Sequence, residues 1–292
     1  MKIRDIIKDS SNGFSFEFFP PKNDRGFDDL YATIERLKQL NPLFVSVTYG
    51  AGGGTRKKTI DLTEKIKNEI GIESMAHMTC VGSTRGEIDS VLSEISAKGI
   101  ENVLALRGDP PKGEKVFVPQ EGGFRYANEL VEFARERYDF CIGVAGYPEG
   151  HPESSSLATD MENLKRKVDA GGEFIITQLF FDNDHYFDFL DRAERAGIDV
   201  PIIPGIMPIL NLGQVKRFTE MCGASIPKGL MGRLEELQGD EEAVEAHGIE
   251  HATLQCRGLM ERGVPLIHLY TLNRSHAPWA ILHNLGGAES VR

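Results

Sequence analysis

Residues 74–107 read SMAHMTCVGSTRGEIDSVLSEISAKGIENVLALR. A short run (74–80) is followed by a helical pattern (85–98), then Gly99 where a helix C-terminal cap favours glycine, then a second short apolar run (102–107). Runs this short suit strands, and a strand–helix–strand unit pairs its strands in parallel through a right-handed crossover. Outward in both directions the unit recurs. Further strand signals fall at 14–19, 43–49, 140–147, 173–180, 201–207 and 266–272, rich in Val, Ile and Phe. Helical patterns fall at 27–40, 59–70, 124–137, 158–170, 185–196, 212–222 and 275–285. Leu30, Ile34 and Leu37 make one stripe of the first, and Gly71, Gly171 and Gly197 follow helix ends as Gly99 does. Strand–helix units of roughly 30 residues, eight in all, predict an α/β fold, a closed (β/α)₈ TIM barrel, over an open sheet of the same elements. The segment 223–263 breaks the period, so extra helices are expected at 228–237 and 241–261, before the last strand.

The length of 292 residues suits one barrel domain, and 40% hydrophobic with 26% charged residues excludes a disordered chain, a collagen or a coiled-coil rod. A net charge of −11 makes the chain a poor non-specific binder of nucleic acid or anionic membrane, though a local basic pocket can still hold an anion. Cys80, Cys141, Cys222 and Cys256 form no Cys-x-x-Cys pair, which argues against a zinc knuckle or redox motif and fits a reducing compartment. Residues 1–12 carry Lys2, Arg4, Asp5, Lys8 and Asp9 and lack the apolar core of a signal peptide. No apolar run reaches the roughly 18 residues of a membrane helix. A soluble cytoplasmic protein is expected.

Barrel enzymes carry their chemistry at the C-terminal ends of the strands. Here those ends collect Glu17; Thr48 and Tyr49; His77 and Thr79; Arg107, Gly108 and Asp109; Tyr147 and then His151; Gln178; and Asn273 with Arg274. Any one of these could be a solvated strand end; their coincidence at one rim is the signal. Glu17 is the sharpest. Alternation puts Ser15, Glu17 and Phe19 on one face of the first strand and Phe14, Phe16 and Phe18 on the other, so Glu17 points into the barrel mouth if the phenylalanines pack under helices. Among aromatics and prolines its pKa is expected to rise, which makes a general acid near neutral pH. The plainer alternative is a buried ion pair, with Arg107 as partner.

Other motifs are weaker. The glycine run 50–54 fails both the P-loop and the Gly-x-Gly-x-x-Gly patterns and reads as a loop over the barrel mouth. Asp160, Asn163, Arg166 and Lys167 lie on one predicted helix, and a solvated face is the first reading. His247 and His251 are four apart but lack a His-Glu-x-x-His context, so no metal is assigned. Met75 and Met78 read as packing.

The motifs 14–22 (FSFEFFPPK), 46–53 (SVTYGAGG), 106–109 (LRGD), 147–153 (YPEGHPE), 164–171 (LKRKVDAG), 176–178 (ITQ), 204–208 (PGIMP) and 272–274 (LNR) together resemble the methylenetetrahydrofolate reductase family, short bacterial type, in order along essentially the whole chain. The resemblance implies a barrel holding FAD non-covalently and reducing 5,10-methylenetetrahydrofolate to 5-methyltetrahydrofolate with NADH or NADPH, in turn, by ping-pong kinetics. It implies Glu17 as proton donor and Asp109 near both flavin and pterin. Flavin contacts would come from Thr48, Tyr49, Ala51, His77, Arg107, Gly108, Asp109, Ala127, Tyr147, His151, Asp160, Asn163, Arg166 and Lys167, which turns the solvated helix face into a pyrophosphate site. Folate contacts would come from Gln178, Gln214, Phe218 and Arg274. Ser154 departs from the small apolar residue of the family pattern, which leaves that flavin contact open. A homo-oligomer is implied as well. Larger eukaryotic relatives add a regulatory domain that binds S-adenosylmethionine; this chain, ending at Arg292, is expected to be a single catalytic domain over 1–292 without it.

Three other readings are weighed. A cofactor-free lyase or aldolase would want a strand-end lysine or a metal cluster, and neither is visible. A flavin barrel acting on another amine would share the colour and not the folate turnover. A binding module leaves the rim carboxylates and amide unexplained.

Overall fold

A computed structural model describes the chain except residues 22, 50–55, 111–112, 115 and 287–292, and except the side chain of Asp24. The strands, in chain order, are β1 (Gly13–Phe18), β2 (Val45–Val47), β3 (Ser74–Thr79), β4 (Asn102–Leu106), β5 (Cys141–Gly146), β6 (Phe174–Thr177), β7 (Ile202–Ile203), β8 (Gly205–Ile206) and β9 (Leu266–Tyr270). All neighbours pair in parallel, in the order β7-β6-β5-β4-β3-β2-β1-β9-β8. The seventh strand signal is thus two short pieces split at Pro204. One piece pairs with β6 and the other with β9, so this segment closes the barrel. Proline has no N–H for the ladder, but its carbonyl accepts from His268 N at 2.9 Å. Gly205 is required next to it: a Cβ there would sit 2.4 Å from Thr177 O and 2.7 Å from the Tyr270 ring.

Helices α2 (Asp24–Lys38), α3 (Arg56–Lys65), α4 (Arg85–Ala97), α5 (Ala127–Arg137), α6 (Leu157–Asp169), α7 (Asn183–Arg195), α8 (Leu212–Cys222) and α11 (His276–Asn284) follow successive strands, as the sequence pattern predicts. The extra helices α9 (Lys228–Glu236) and α10 (Glu241–Glu261) precede the last strand, also as predicted. Their ends obey local chemistry. Thr84 and Glu87 form a reciprocal capping box at the start of α4, and Gly71, Gly99 and Gly197 adopt φ of 79°, 73° and 70° after their helices. Phe14, Phe16 and Phe18 pack outward into one cluster with Leu30, Ile34 and Leu37 of α2 and Ile281 and Leu282 of α11.

One helix lies outside the sequence pattern. Ile3–Asp9 forms α1, which closes the N-terminal end of the barrel. Its Ile3 and Ile7 join Phe44, Met75, Leu104, Cys141, Phe174, Ile203 and Leu266 in a separate apolar cluster. Asn102 secures it: Oδ1 accepts from Ile3 N at 2.8 Å, while Nδ2 donates to Met1 O and Glu73 Oε1, both at 3.0 Å. The charges of the segment are used in pairs, Lys2 with Asp139 and Arg4 with Glu173. Among the described residues no helix is long and apolar enough to cross a membrane.

Candidate active site

The outward packing of Phe14, Phe16 and Phe18 leaves Ser15 and Glu17 on the inner face of β1. Three strands converge on the Glu17 carboxylate. Ser46 Oγ of β2 donates to Oε2 at 3.3 Å, His77 Nε2 of β3 lies 3.4 Å from it, and His268 Nε2 of β9 lies 3.6 Å from it. Behind them Ser15 Oγ is 2.8 Å from His268 Nδ1, and both residues are wholly buried.

This setting corrects the expectation of a raised Glu17 pKa. Burial does push the carboxyl up, but the hydrogen bond from His268, the charges of the His77 and His268 imidazoles and the Ser46 hydroxyl outweigh it, so it titrates below its ordinary value. The aromatics and prolines beside Glu17 in the chain are not what faces its side chain. His77 is pushed down to about 4, chiefly by burial, against the pull of Glu17. The alternative ion pair with Arg107 does not form: Arg107 grips Glu153 with two bonds of 2.6 Å.

Above Glu17 opens a cavity of about 370 Å³. Its walls are Thr48 and Tyr49 after β2, His77 and Thr79 of β3, Arg107, Gly108 and Asp109 after β4, Tyr147 and His151 after β5, and Gln178 after β6. Among the described residues, Tyr49 Oη, Thr79 Oγ1 and His77 Nε2 are buried without a hydrogen-bond partner, His77 Nε2 having only its ion-pair contact with Glu17. Buried polar atoms left open are costly, so this wall is built to receive a polar ligand. Gly108 has φ +88°, and a Cβ would meet Val81 Cγ1 at 2.9 Å.

A second cavity, about 430 Å³, shares Arg107, Ala127, Tyr147, His151 and Lys167 with the first and runs along α6 to Asp160, Asn163 and Arg166. Ser154 Oγ donates to Asp160 Oδ1 at 2.9 Å, and Arg166 Nη1 donates to Asn163 Oδ1 at 3.0 Å. Lys167 turns inward and donates to Ala145 O; burial lowers its ammonium to about 8, with Asp160 opposing. The helix therefore presents more than a solvated face.

Gln214, Phe218 and Arg274 meet in a third cavity of about 620 Å³, beside Phe19 and the carboxylates Glu241, Glu242 and Glu245. Gln214 and Phe218 stand one turn apart on α8. Arg274 is aimed by a backbone kink in which Leu272 and Asn273 take φ of 52° and 57°. Left-handed backbone is uncommon for residues other than glycine and needs support from its surroundings. Asn273 supplies that support by bonding Phe19 twice, Oδ1 accepting from N at 2.9 Å and Nδ2 donating to O at 2.7 Å. Gln178 is not with this group; it lies in the first cavity. Ala51 lies outside the described residues. His251 Nε2 is 3.0 Å from Phe181 O, and His247 Nδ1 is 3.4 Å from Glu250.

The family model described as methylenetetrahydrofolate reductase matches residues 2–286. The chain belongs to the methylenetetrahydrofolate reductase family. A Salmonella typhimurium relative, 5,10-methylenetetrahydrofolate reductase, is 44% identical over 93% of this chain and 90% of its own length. An Arabidopsis thaliana relative, methylenetetrahydrofolate reductase (NADH) 1, is 43% identical over 98% of this chain and 50% of its own length. The chain thus spans about half the length of the plant relatives it matches. Among solved structures, a Clostridium thermocellum protein described as uncharacterized and binding two copies of 5-methyl-5,6,7,8-tetrahydrofolic acid superposes with a TM-score of 0.66 at 17% identity, covering 99% of this chain and 98% of that one, which shows a shared fold.

Within this family frame, several inward-facing residues escaped the sequence reading. Ser46 and His268 line the Glu17 niche beside Ser15 and Thr79, which the strand pattern does place there, and Tyr270 closes its side, donating to Thr177 O at 2.7 Å. The signal was available: in β9 the parity that faces Leu266 inward also faces His268 and Tyr270 inward.

Proposed function

We propose that this chain reduces 5,10-methylenetetrahydrofolate to 5-methyltetrahydrofolate with NADH or NADPH, through FAD held at the barrel mouth, with residues 1–292 forming the catalytic domain. The observation that carries the reading is a carboxylate, Glu17, flanked by two imidazoles beneath a cavity in whose wall Tyr49 Oη, Thr79 Oγ1 and His77 Nε2 lack hydrogen-bond partners among the described residues, in a chain of this family.

The residues fit FAD. Tyr49, Thr79 and His77 offer open hydrogen-bonding atoms in the first cavity. Lys167, Arg166 and Asn163 offer cations and an amide in the second, at the α6 end of the site. The two joined cavities suit a ligand with a ring system at one end and a pyrophosphate farther along. Bound there, FAD would supply the hydride carrier between nicotinamide and folate. The chain's own part is to bind, orient and manage one proton. The folate methylene bridge is an aminal; protonation at its N10 opens it to an iminium carbon that can accept hydride, and Glu17 would give that proton. Asp109, in the same cavity, would stabilise the cation that results. Arg274 would pair with a carboxylate of the folate tail, Phe218 and Gln214 would line the substrate's side, and Gln178 would contact it from the first cavity.

Purified protein should be yellow and should release FAD, not FMN, on heating, as identified by chromatography. Anaerobic addition of NADH and, separately, NADPH should bleach it and reveal the donor. Methylenetetrahydrofolate should restore the colour. Colourless protein that FAD cannot reconstitute, or bleached protein that methylenetetrahydrofolate leaves bleached, overturns the reading.

A further inference from the structure

The site uses only part of the motif at 147–153. Tyr147 and His151 line the first two cavities, and Glu153 holds Arg107. Glu149 lines neither cavity, yet its side chain is largely buried and fully engaged. Ser225 N donates to its Oε1 at 3.1 Å and to its Oε2 at 3.0 Å, the Ser225 hydroxyl donates to Oε2, and His185 Nε2 of α7 lies 3.4 Å from Oε2. Hydrogen bonds to an ionised carboxylate are the strong kind. Ser225 lies just beyond the end of α8, so Glu149 joins the loop after β5 to that helix. A second contact joins the same two places. Gly223, left-handed at φ +75° where α8 stops, sits over Pro152, and a Cβ there would meet Pro152 Cγ at 3.1 Å.

The two partners depend on this junction unequally. The β5 loop has ties of its own. Arg192 Nη2 of α7, braced by Asp188, donates to Pro148 O at 2.5 Å; Gly150 N and Ser154 N donate to Tyr147 O and His151 O at 3.0 and 2.9 Å; and Glu153 is gripped by Arg107. Helix α8 is fixed mainly at its start. Asn211 caps it, accepting from Gln214 N at 2.9 Å, and its buried side chains, Leu212 and Val215, lie in its first half. Farther along, Phe218 and Cys222 are half-buried and Met221 is exposed. The ion pair of Lys216 with Glu235 is exposed on both sides, a kind that contributes little. Among the described residues, what holds the far end of α8 is Glu149, with Pro152 under Gly223.

We propose that Glu149 is a positioning residue for the folate half-reaction. It ties the end of α8 to the flavin-side loop and so sets where the Phe218 ring stands beside the mouth. The loop keeps its shape without Glu149, and the second half of α8 does not. This inference rests on the reading of Phe218 and Gln214 as folate contacts.

The test measures, by rapid mixing, the methylenetetrahydrofolate concentration that half-saturates reoxidation of the reduced flavin, the limiting rate of that step and, separately, the affinity of the apoprotein for FAD. Glu149→Ala should raise the half-saturating concentration about tenfold, as a contact displaced from a distance can, while the limiting rate and FAD affinity stay within about twofold of wild type. Glu149→Gln can still accept from Ser225 N but lacks the charge. It should fall between wild type and Glu149→Ala, and it is the reading if Glu149→Ala does not fold. Glu149→Ala combined with Phe218→Ala should saturate no more weakly than Phe218→Ala alone, because the tie acts through that ring. Losses that multiply in the double variant, a fall in FAD affinity that matches the fall in folate affinity, or wild-type saturation in both Glu149 variants overturns the inference. If Phe218→Ala itself saturates normally, the assignment of α8 to folate fails first; if it is impaired and the Glu149 variants are not, the positioning role alone is wrong.

Discussion

The two ends of the barrel are built from the same strands to opposite specifications. Along β3 the inward residues run Met75, His77, Thr79, and along β9 Leu266, His268, Tyr270: apolar at the N-terminal end, polar at the C-terminal end. Below, α1 covers the opening, and Asn102 satisfies its amide on three sides. Above, Tyr49, His77 and Thr79 keep polar atoms open, and Leu272 and Asn273 hold left-handed backbone. The contrast separates stability from function within one tube. The closed end lowers the free energy of the fold, and the open end spends some of it on groups left open to a ligand.

If the separation is real, changes at one end should leave the other untouched. The largest effect is expected from Glu17→Gln, which preserves shape and removes the acid. Folate reduction should fall by about 10²–10⁴-fold while flavin bleaching by the nicotinamide donor stays near normal, as rapid mixing of each half-reaction would show. At the closed end, Ile3→Ala should cost about 2–5 kcal/mol of stability, read by denaturant unfolding, with both half-reaction rates unchanged in the folded fraction. A loss of catalysis there would mean the two ends are coupled. Arg274→Ala should remove about 1.5–3 kcal/mol from folate binding, a rise in KM of about ten- to a hundredfold, without slowing flavin reduction.

The smallest effect is a pH dependence. With no anion bound, burial lowers the Lys167 ammonium to about 8. An anionic cofactor requires the charged form. Below pH 8 the lysine is already protonated and FAD affinity should be flat; above it, affinity should fall by up to about tenfold per pH unit, because binding must take up a proton. Lys167→Arg, whose charge persists, should flatten that slope. Titrating apoprotein with FAD across pH 7 to 9.5 would show it.

Much of this was legible in the chain. The period of strand and helix signals announced the barrel, and the parity of 14–19 aimed Glu17 inward. What failed has physical causes. In α1 only Ile3, Ile6 and Ile7 are apolar, too few for a helical stripe to stand out, and its charges read as solvated because their partners Asp139 and Glu173 are distant in sequence. The sequence points to a raised Glu17 pKa because Phe16, Phe18 and Pro20 are neighbours along the chain, whereas His77, His268 and Ser46, which lower it, are neighbours across the barrel. Arg107 offered itself as a partner for Glu17, and only the folded loop after β5 could show that Glu153 takes it. The helix carrying Lys167 looked solvent-facing because one turn of it is; the residue next to exposed Arg166 dips into the site.

The pairing of β1 with β9 sets a timetable for synthesis. Gly13 bonds in register with Leu266, and Ile3 shares a cluster with that same leucine. A ribosome adding about 5–20 residues per second delivers the first strand tens of seconds before its second neighbour. Through that interval β1 has β2 on one flank and an unpaired edge on the other, and the α1 cluster lacks its last members. The barrel cannot close before β9 has been made. Its final ring of hydrogen bonds, running through the Pro204 break, waits for that strand to emerge, and the nascent chain's exposure to aggregation is concentrated on that waiting edge.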